Sequence, residues 1–196
     1  MINFISSNLK YIFLLISIII LIISKICVGL DYLSVKEIVI NHMRCFRSKD
    51  GSKWLILPIL NYTVVPILLG VVAASFKVID SDIINIITII VSILTAMLFT
   101  MLTTIIDMKA KINTDNTYYR SEYLISKRAI IETYYAIMYE IVVSILLLIC
   151  CLFTVYIGKY KIIFSYVIYS LSFIMLFNLF MIIKRIFKII DTDINK

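Results

Sequence analysis

Apolar residues along this chain gather into long blocks, and polar residues fall in the gaps between them. A helix needs about 20 apolar residues to cross the hydrocarbon of a bilayer. Five stretches approach or exceed that length. They are Tyr11 to Val28, broken only by Lys25; Trp54 to Phe76 and Ile83 to Ile106, both free of charge; Ile141 to Ile157, the shortest; and Ile162 to Ile183. The pattern predicts an all-α, polytopic integral membrane helical bundle of five transmembrane helices. An N-terminal span (1–34) precedes a four-span domain (35–196). The first block is too long for a signal peptide and has no small-x-small cleavage site after it, so it is read as an uncleaved span.

The gaps carry their own periodicity. Between residues 35 and 47 the apolar side chains fall at Val35, Ile38, Val39, Met43 and Phe46, the spacing of one helical face. Lys36, Asn41, Arg44 and Arg47 fall largely on the other. A basic amphipathic helix is expected here, lying in the membrane interface. Asp50-Gly51 supplies a turn, and Trp54 anchors the next span at headgroup level. The segment 117–140 also reads as helix and should run into the fourth span on one axis. Residues 184–190 should extend the fifth.

Composition agrees with a lipid environment. Of 196 residues, 62% are hydrophobic and 16% charged, and the mean hydropathy is +1.05. One soluble core could not hide that much apolar surface. The net charge of +7 is explained by anionic lipid without nucleic acid. Fifteen of the 19 Lys and Arg residues fall on one side of the predicted topology and four on the other. Basic loops stay in the cytoplasm. The N-terminus is therefore placed outside and the C-terminus inside, in the plasma membrane. The outer connections, Lys77 to Asp82 and Gly158 to Lys161, are short, so a trigger should act from the cytoplasm.

Catalytic patterns are missing. There is no Walker or G-x-G-x-x-G motif and no H-E-x-x-H. The four cysteines form no C-x-x-C pair, and with one histidine they make no zinc set. No cofactor, metal or enzymatic activity is expected. His42 is read as a structural residue of the interfacial helix.

Polar residues at depth are the remaining candidates. Glu140, at the edge of an apolar run with Tyr139 beside it, is a candidate polar or ion site, because ionisable groups at membrane depth are usually functional. Glu132 is a second candidate, with Arg128 one turn earlier. Folding the fifth helix back on the fourth about the turn near Lys159 sets Glu132 level with Phe187. Lys184, Arg185 and Lys188 then become partners for it. Such a cluster reads either as an ion-pair lock between helices or as a cytoplasmic ion site. The same symmetry applied to the second and third spans puts Asp107 near Lys53. Pro58 and Pro66, with Asn61 between them, mark a kink or hinge. Each proline should free a carbonyl, at Trp54 and Tyr62. Asn61, Thr63 or the hydroxyls Thr88, Ser92 and Thr95 are available to satisfy those carbonyls. Lys36, Arg44, Arg47 and Trp54 are expected at the membrane interface.

Several of these pieces recur together: His42-x-x-x-Phe46-Arg47; Leu57-Pro58 opening a span; Leu94-Thr95-Ala96-Met97-Leu98-Phe99 leading to Asp107; Glu132-Thr133; and Lys184-Arg185. Their order resembles a group of small, uncharacterised bacterial multi-span membrane proteins over residues 35 to 190. Some four-span proteins of that kind act as membrane effectors in anti-phage defence. The resemblance implies a non-enzymatic membrane effector or signalling component, and the alternative is a small transporter or ion-channel subunit. Its expected partners are a bilayer with anionic lipids, further copies of the chain, and a cytoplasmic protein or small-molecule trigger.

Overall fold

A computed structural model of the chain describes residues 15–17, 19–20, 22–23, 35–47, 53–114, 120–156 and 161–194. Packing divides the chain into two units, Met1–Glu37 and Ile38–Lys196. The span expected over Tyr11 to Val28 lies mostly outside the described residues. Those described within it are helical. The Asp50-Gly51 turn and most of the Gly158 to Lys161 connection also fall outside them.

Helix α1 runs Lys36–Arg44, shorter than the expected 35–47. Among the described residues, four further helices are long and apolar enough to cross a membrane. They are α2 (Ile56–Phe76), α3 (Ser81–Thr114), α4 (Arg120–Tyr156) and α5 (Lys161–Ile194). Polar segment and apolar run share one unbroken axis in α4, as they do in α5. Exposed positions on α2 and α3, such as Leu57, Leu68, Phe76, Ile86, Ile89 and Ile93, are apolar, which is the surface lipid accepts.

The helices do not pack in chain order. α2 packs on α5, α5 on α4, and α4 on α3, while sequence neighbours α2 and α3 share no packed face. The reason lies in the side chains of α2. Its buried residues Pro66, Gly70 and Ala74 make a face of small groups spaced four apart, the kind that lets helix backbones approach closely. Gly70 lies so near α5 that a Cβ built on it would stand 2.4 Å from the Ser170 Cα. The Ser170 hydroxyl reaches back to the Ile67 carbonyl at 3.4 Å.

The link between α2 and α3 is fastened toward α5 as well. The Ile79 N–H donates to Ser165 Oγ at 2.9 Å. Asp80 then starts α3 by accepting from the Ile83 N–H at 2.9 Å, as a helix N-cap does. Lys77 pairs with Asp80 at 2.9 Å. The lysine ammonium first, and the capping N–H second, hold this carboxyl below its ordinary range.

Because α2 and α3 diverge, the expected Lys53–Asp107 contact fails. Neither side chain is among the ion pairs of the described residues. The symmetry argument needs the two spans to pack against each other, and these two do not.

Two apolar clusters fill the bundle. One joins Phe46, Leu98, Ile105, Ile137, Met181 and Ile182, toward the end that carries Arg128 and Arg185, here termed the basic end. The other joins Ile79, Val91, Leu147, Ile168 and Met175, toward the short link.

Candidate functional site

Where the two apolar clusters meet, α4 carries a carboxylate. Glu140 is 0% exposed. Among the described residues neither of its oxygens has a hydrogen-bond partner. Its polar neighbour is the Asn178 amide of α5, which is also buried and whose Oδ1 is likewise unpartnered. Glu140 lies 16 residues before the end of α4 at Tyr156, about 24 Å along the axis at ~1.5 Å per residue. Asn178 lies 17 residues after Lys161, the first residue of α5, at the same level. A ~30 Å hydrocarbon core that began near that end would include both. A buried acid without partners is costly, and native proteins rarely retain one without a use.

Helix α1 covers this region from the basic end. His42 is 3% exposed. It stacks flat on Tyr139, with centroids 4.0 Å apart, and meets Phe46 edge-on at 5.3 Å. Phe46 in turn lies 6.2 Å from the Tyr62 ring. His42 is thus packed as a structural residue, and it is buried. His42 follows Ile38 by one turn of α1, and the tight turns after Arg44, in which the Phe46 N–H donates to the Met43 carbonyl, bring Phe46 into the core beside it.

Burial, and then the nearby Arg185 charge, pull the His42 pKa down to about 3. An undocked His42 would titrate near ~6.5. Between those values the undocked form binds the extra proton. Docking of α1 is therefore full above pH 6.5 and weakens as pH falls, by ~1.4 kcal/mol per unit. At pH 5 the loss should reach about 2 kcal/mol. Trp54 fluorescence and protease sensitivity between residues 47 and 54 will show α1 loosening on acidification. His42→Phe will flatten that response, and a flat wild-type profile from pH 7 to 4 would contradict this account.

Glu132 lies two turns nearer the basic end. Arg128 Nε reaches Glu132 Oε1 at 2.7 Å, and Arg185 Nη1 stands 3.7 Å from Oε2, near enough for an ion pair but too far for a hydrogen bond. The hairpin symmetry succeeds here because α4 and α5 do pack. Of the three cations set level with Glu132, Arg185 reaches it, while the Lys184 and Lys188 side chains are exposed. Glu132 also connects to α1 through its backbone, since Cys45 Sγ lies 3.9 Å from its carbonyl oxygen. Burial raises the Cys45 thiol above its usual range.

The proline region differs from expectation in detail. α2 begins at Ile56, so Pro58 occupies the first turn. An N–H there has no helical acceptor to lose, and no carbonyl at Trp54 is freed by it. Pro66 does disturb the helix. Leu60–Val64, which includes Asn61, winds as a π-helical turn, and the Val65 N–H donates to the Leu60 carbonyl five residues back. The wider turn makes room for the proline ring. The α3 hydroxyls do not serve α2. Ser92 donates to Thr88 O at 2.7 Å and Thr95 to Val91 O at 2.6 Å, so each is spent on its own helix.

The interface residues are also placed. Lys36 and Arg44 are exposed on α1. The Arg47 guanidinium lies over the Trp54 ring at 4.5 Å, and the two residues form a β-bridge. Among the described residues no group of His, Cys, Asp and Glu could hold a metal ion.

Three residues escaped the sequence reading, Asn178 in the site and Gly70 and Ala74 where α2 meets α5. Asn178 hides inside the apolar run Ile162 to Ile183, where an amide among hydrocarbon side chains was the available signal. Gly70 and Ala74 form a small-xxx-small pair, also legible but unremarked. No family model, curated protein or solved structure matches this chain.

Proposed function

We propose that the chain is a non-enzymatic membrane effector or signalling component of a bacterial cytoplasmic membrane, operated from its basic, cytoplasmic face. On this reading α1 is a seal. It lies at the interface with Lys36, Arg44 and Arg47 toward anionic lipid, and it closes the mouth of a polar core centred on Glu140 and Asn178. A trigger in the cytoplasm displaces α1, the polar core takes up water or ions, and the membrane is perturbed. Anti-phage defence is one setting that uses such a device. The supporting observation is the stacking of His42 on Tyr139 directly beside the unpartnered Glu140.

The test uses full-length protein in vesicles that hold a self-quenched dye. Phe46→Glu places a charge in the seat of α1, where Phe46 is 3% exposed. The variant should leak dye while the wild type stays tight. If the variant inserts, melts cooperatively and still holds dye as the wild type does, the seal reading fails. A small transporter or channel subunit is the second reading, favoured by the same intramembrane carboxylate. It predicts steady ion flux from the wild type with no trigger.

A further inference from the structure

We propose that the cleft between α1 and α4 binds a phosphate group at headgroup level, and that this ligand holds α1 in its docked position. The inference rests on the seal reading for what the ligand controls, but not for the binding itself. The cleft has a volume of about 290 Å³ and is lined by Asn41, Arg44 and Cys45 of the α1 segment and by Arg128, Ile131, Glu132 and Tyr135 of α4. That volume lies at the lower edge of the ~300–1,000 Å³ usual for small-molecule sites. It suits one phosphate with a short polar stem and is too small for a dinucleotide.

The polar part of the lining has a positive excess, two guanidinium groups against one carboxylate. Glu132 is the one carboxylate, and it is already matched by Arg128 at 2.7 Å and Arg185 at 3.7 Å. Arg44 adds a third guanidinium, held at 3.2 Å to Asn41 Oδ1. Behind them, Arg185 Nη1 is buried with no hydrogen-bond acceptor. The Asn41 amide and the Tyr135 hydroxyl complete the donors. Planar guanidinium forks match phosphate oxygens bidentately.

Depth points to the source. Glu132 lies 24 residues before Tyr156, about 36 Å along α4, which is past a ~30 Å hydrocarbon core. A lipid phosphate stands at that height, and a soluble phosphate monoester can also reach it. Because the cleft walls come from both helices, any ligand seated in it ties α1 to α4.

Cys45 provides the readout from inside the cleft. Full-length protein is placed in nanodiscs of phosphatidylcholine alone or with phosphatidylglycerol, and alkylation of Cys45 by N-ethylmaleimide is followed by peptide mass spectrometry. A third arm adds glycerol 3-phosphate to the phosphatidylcholine discs. Phosphatidylglycerol should slow Cys45 labelling about tenfold, the scale of one charged hydrogen-bond set. Arg44→Gln should abolish the slowing, while Lys184→Gln, an exposed cation on the same end, should leave it intact. Slowing by glycerol 3-phosphate alone supports the same cleft with a soluble source. The proposal is overturned if neither phosphate slows labelling, or if Arg44→Gln and Lys184→Gln respond alike. Protection without dye release from the Phe46→Glu variant would keep the cleft and remove the effector reading. Dye release without protection would do the reverse.

Discussion

Replacing Gly70 with isoleucine will separate α2 from α5 and destabilise the bundle more than any other single change on either helix. A Cβ at Gly70 would stand 2.4 Å from the Ser170 Cα and equally close to its backbone nitrogen. Ordinary contact begins near 3.4 Å, so the helices must part by about an ångström even for alanine. Backbone atoms cannot rotate away as a side chain can. Isoleucine adds branches where there is no free volume. Overpacking usually costs ~1–3 kcal/mol, and a clash with main chain belongs at or above the top of that range. Thermal unfolding in detergent will show the loss, with Gly70→Ala intermediate. Ser170→Gly will not rescue Gly70→Ile, because the obstruction is the Ser170 backbone. An unchanged melting temperature for Gly70→Ile would refute the close approach.

Glu140 gives the second large effect, of opposite sign for stability and for function. Its carboxyl is fully buried without a hydrogen-bond partner. Leucine fills a similar volume and carries no polar atom to leave unsatisfied. Glu140→Leu should therefore stabilise the bundle by roughly 1–3 kcal/mol, the usual penalty of an unmade buried hydrogen bond. Glu140→Gln keeps the shape and removes the charge. Both variants, introduced into the Phe46→Glu protein, should suppress dye release while the bundle melts at or above the temperature of its parent. Residues that lower stability yet persist at membrane depth are functional by default. A strong fall in melting temperature for Glu140→Leu would show instead that the acid is a structural partner.

The long apolar helices were legible because hydrocarbon fixes how many apolar residues a crossing takes, and runs such as Ile83 to Ile106 satisfy it without ambiguity. The Arg128–Glu132 pair was legible from helical spacing alone. Arg185 was reachable only by assuming that α4 and α5 form a packed hairpin. The same assumption misled for Lys53 and Asp107, since hydropathy says which segments span but not which of them touch. Partner choice rests on small groups such as Gly70 and Ala74, whose signal is the absence of a side chain. His42 was legible as a structural residue, but its burial was not, because that depends on α1 seating the ring against Tyr139. A proline warns of a disturbed helix, but the π turn ahead of Pro66 follows from how the ring is accommodated in three dimensions.

The crossed order of packing bears on how the chain is made. α2 leaves the ribosome well before its partner α5, with α3 and α4 between them. Until then the Gly70 face has only lipid against it, and α3, though tethered by four residues, offers no substitute. This pairing must wait until α5 has been made, so a nascent chain cut short before α5 would leave the Gly70 face without its partner.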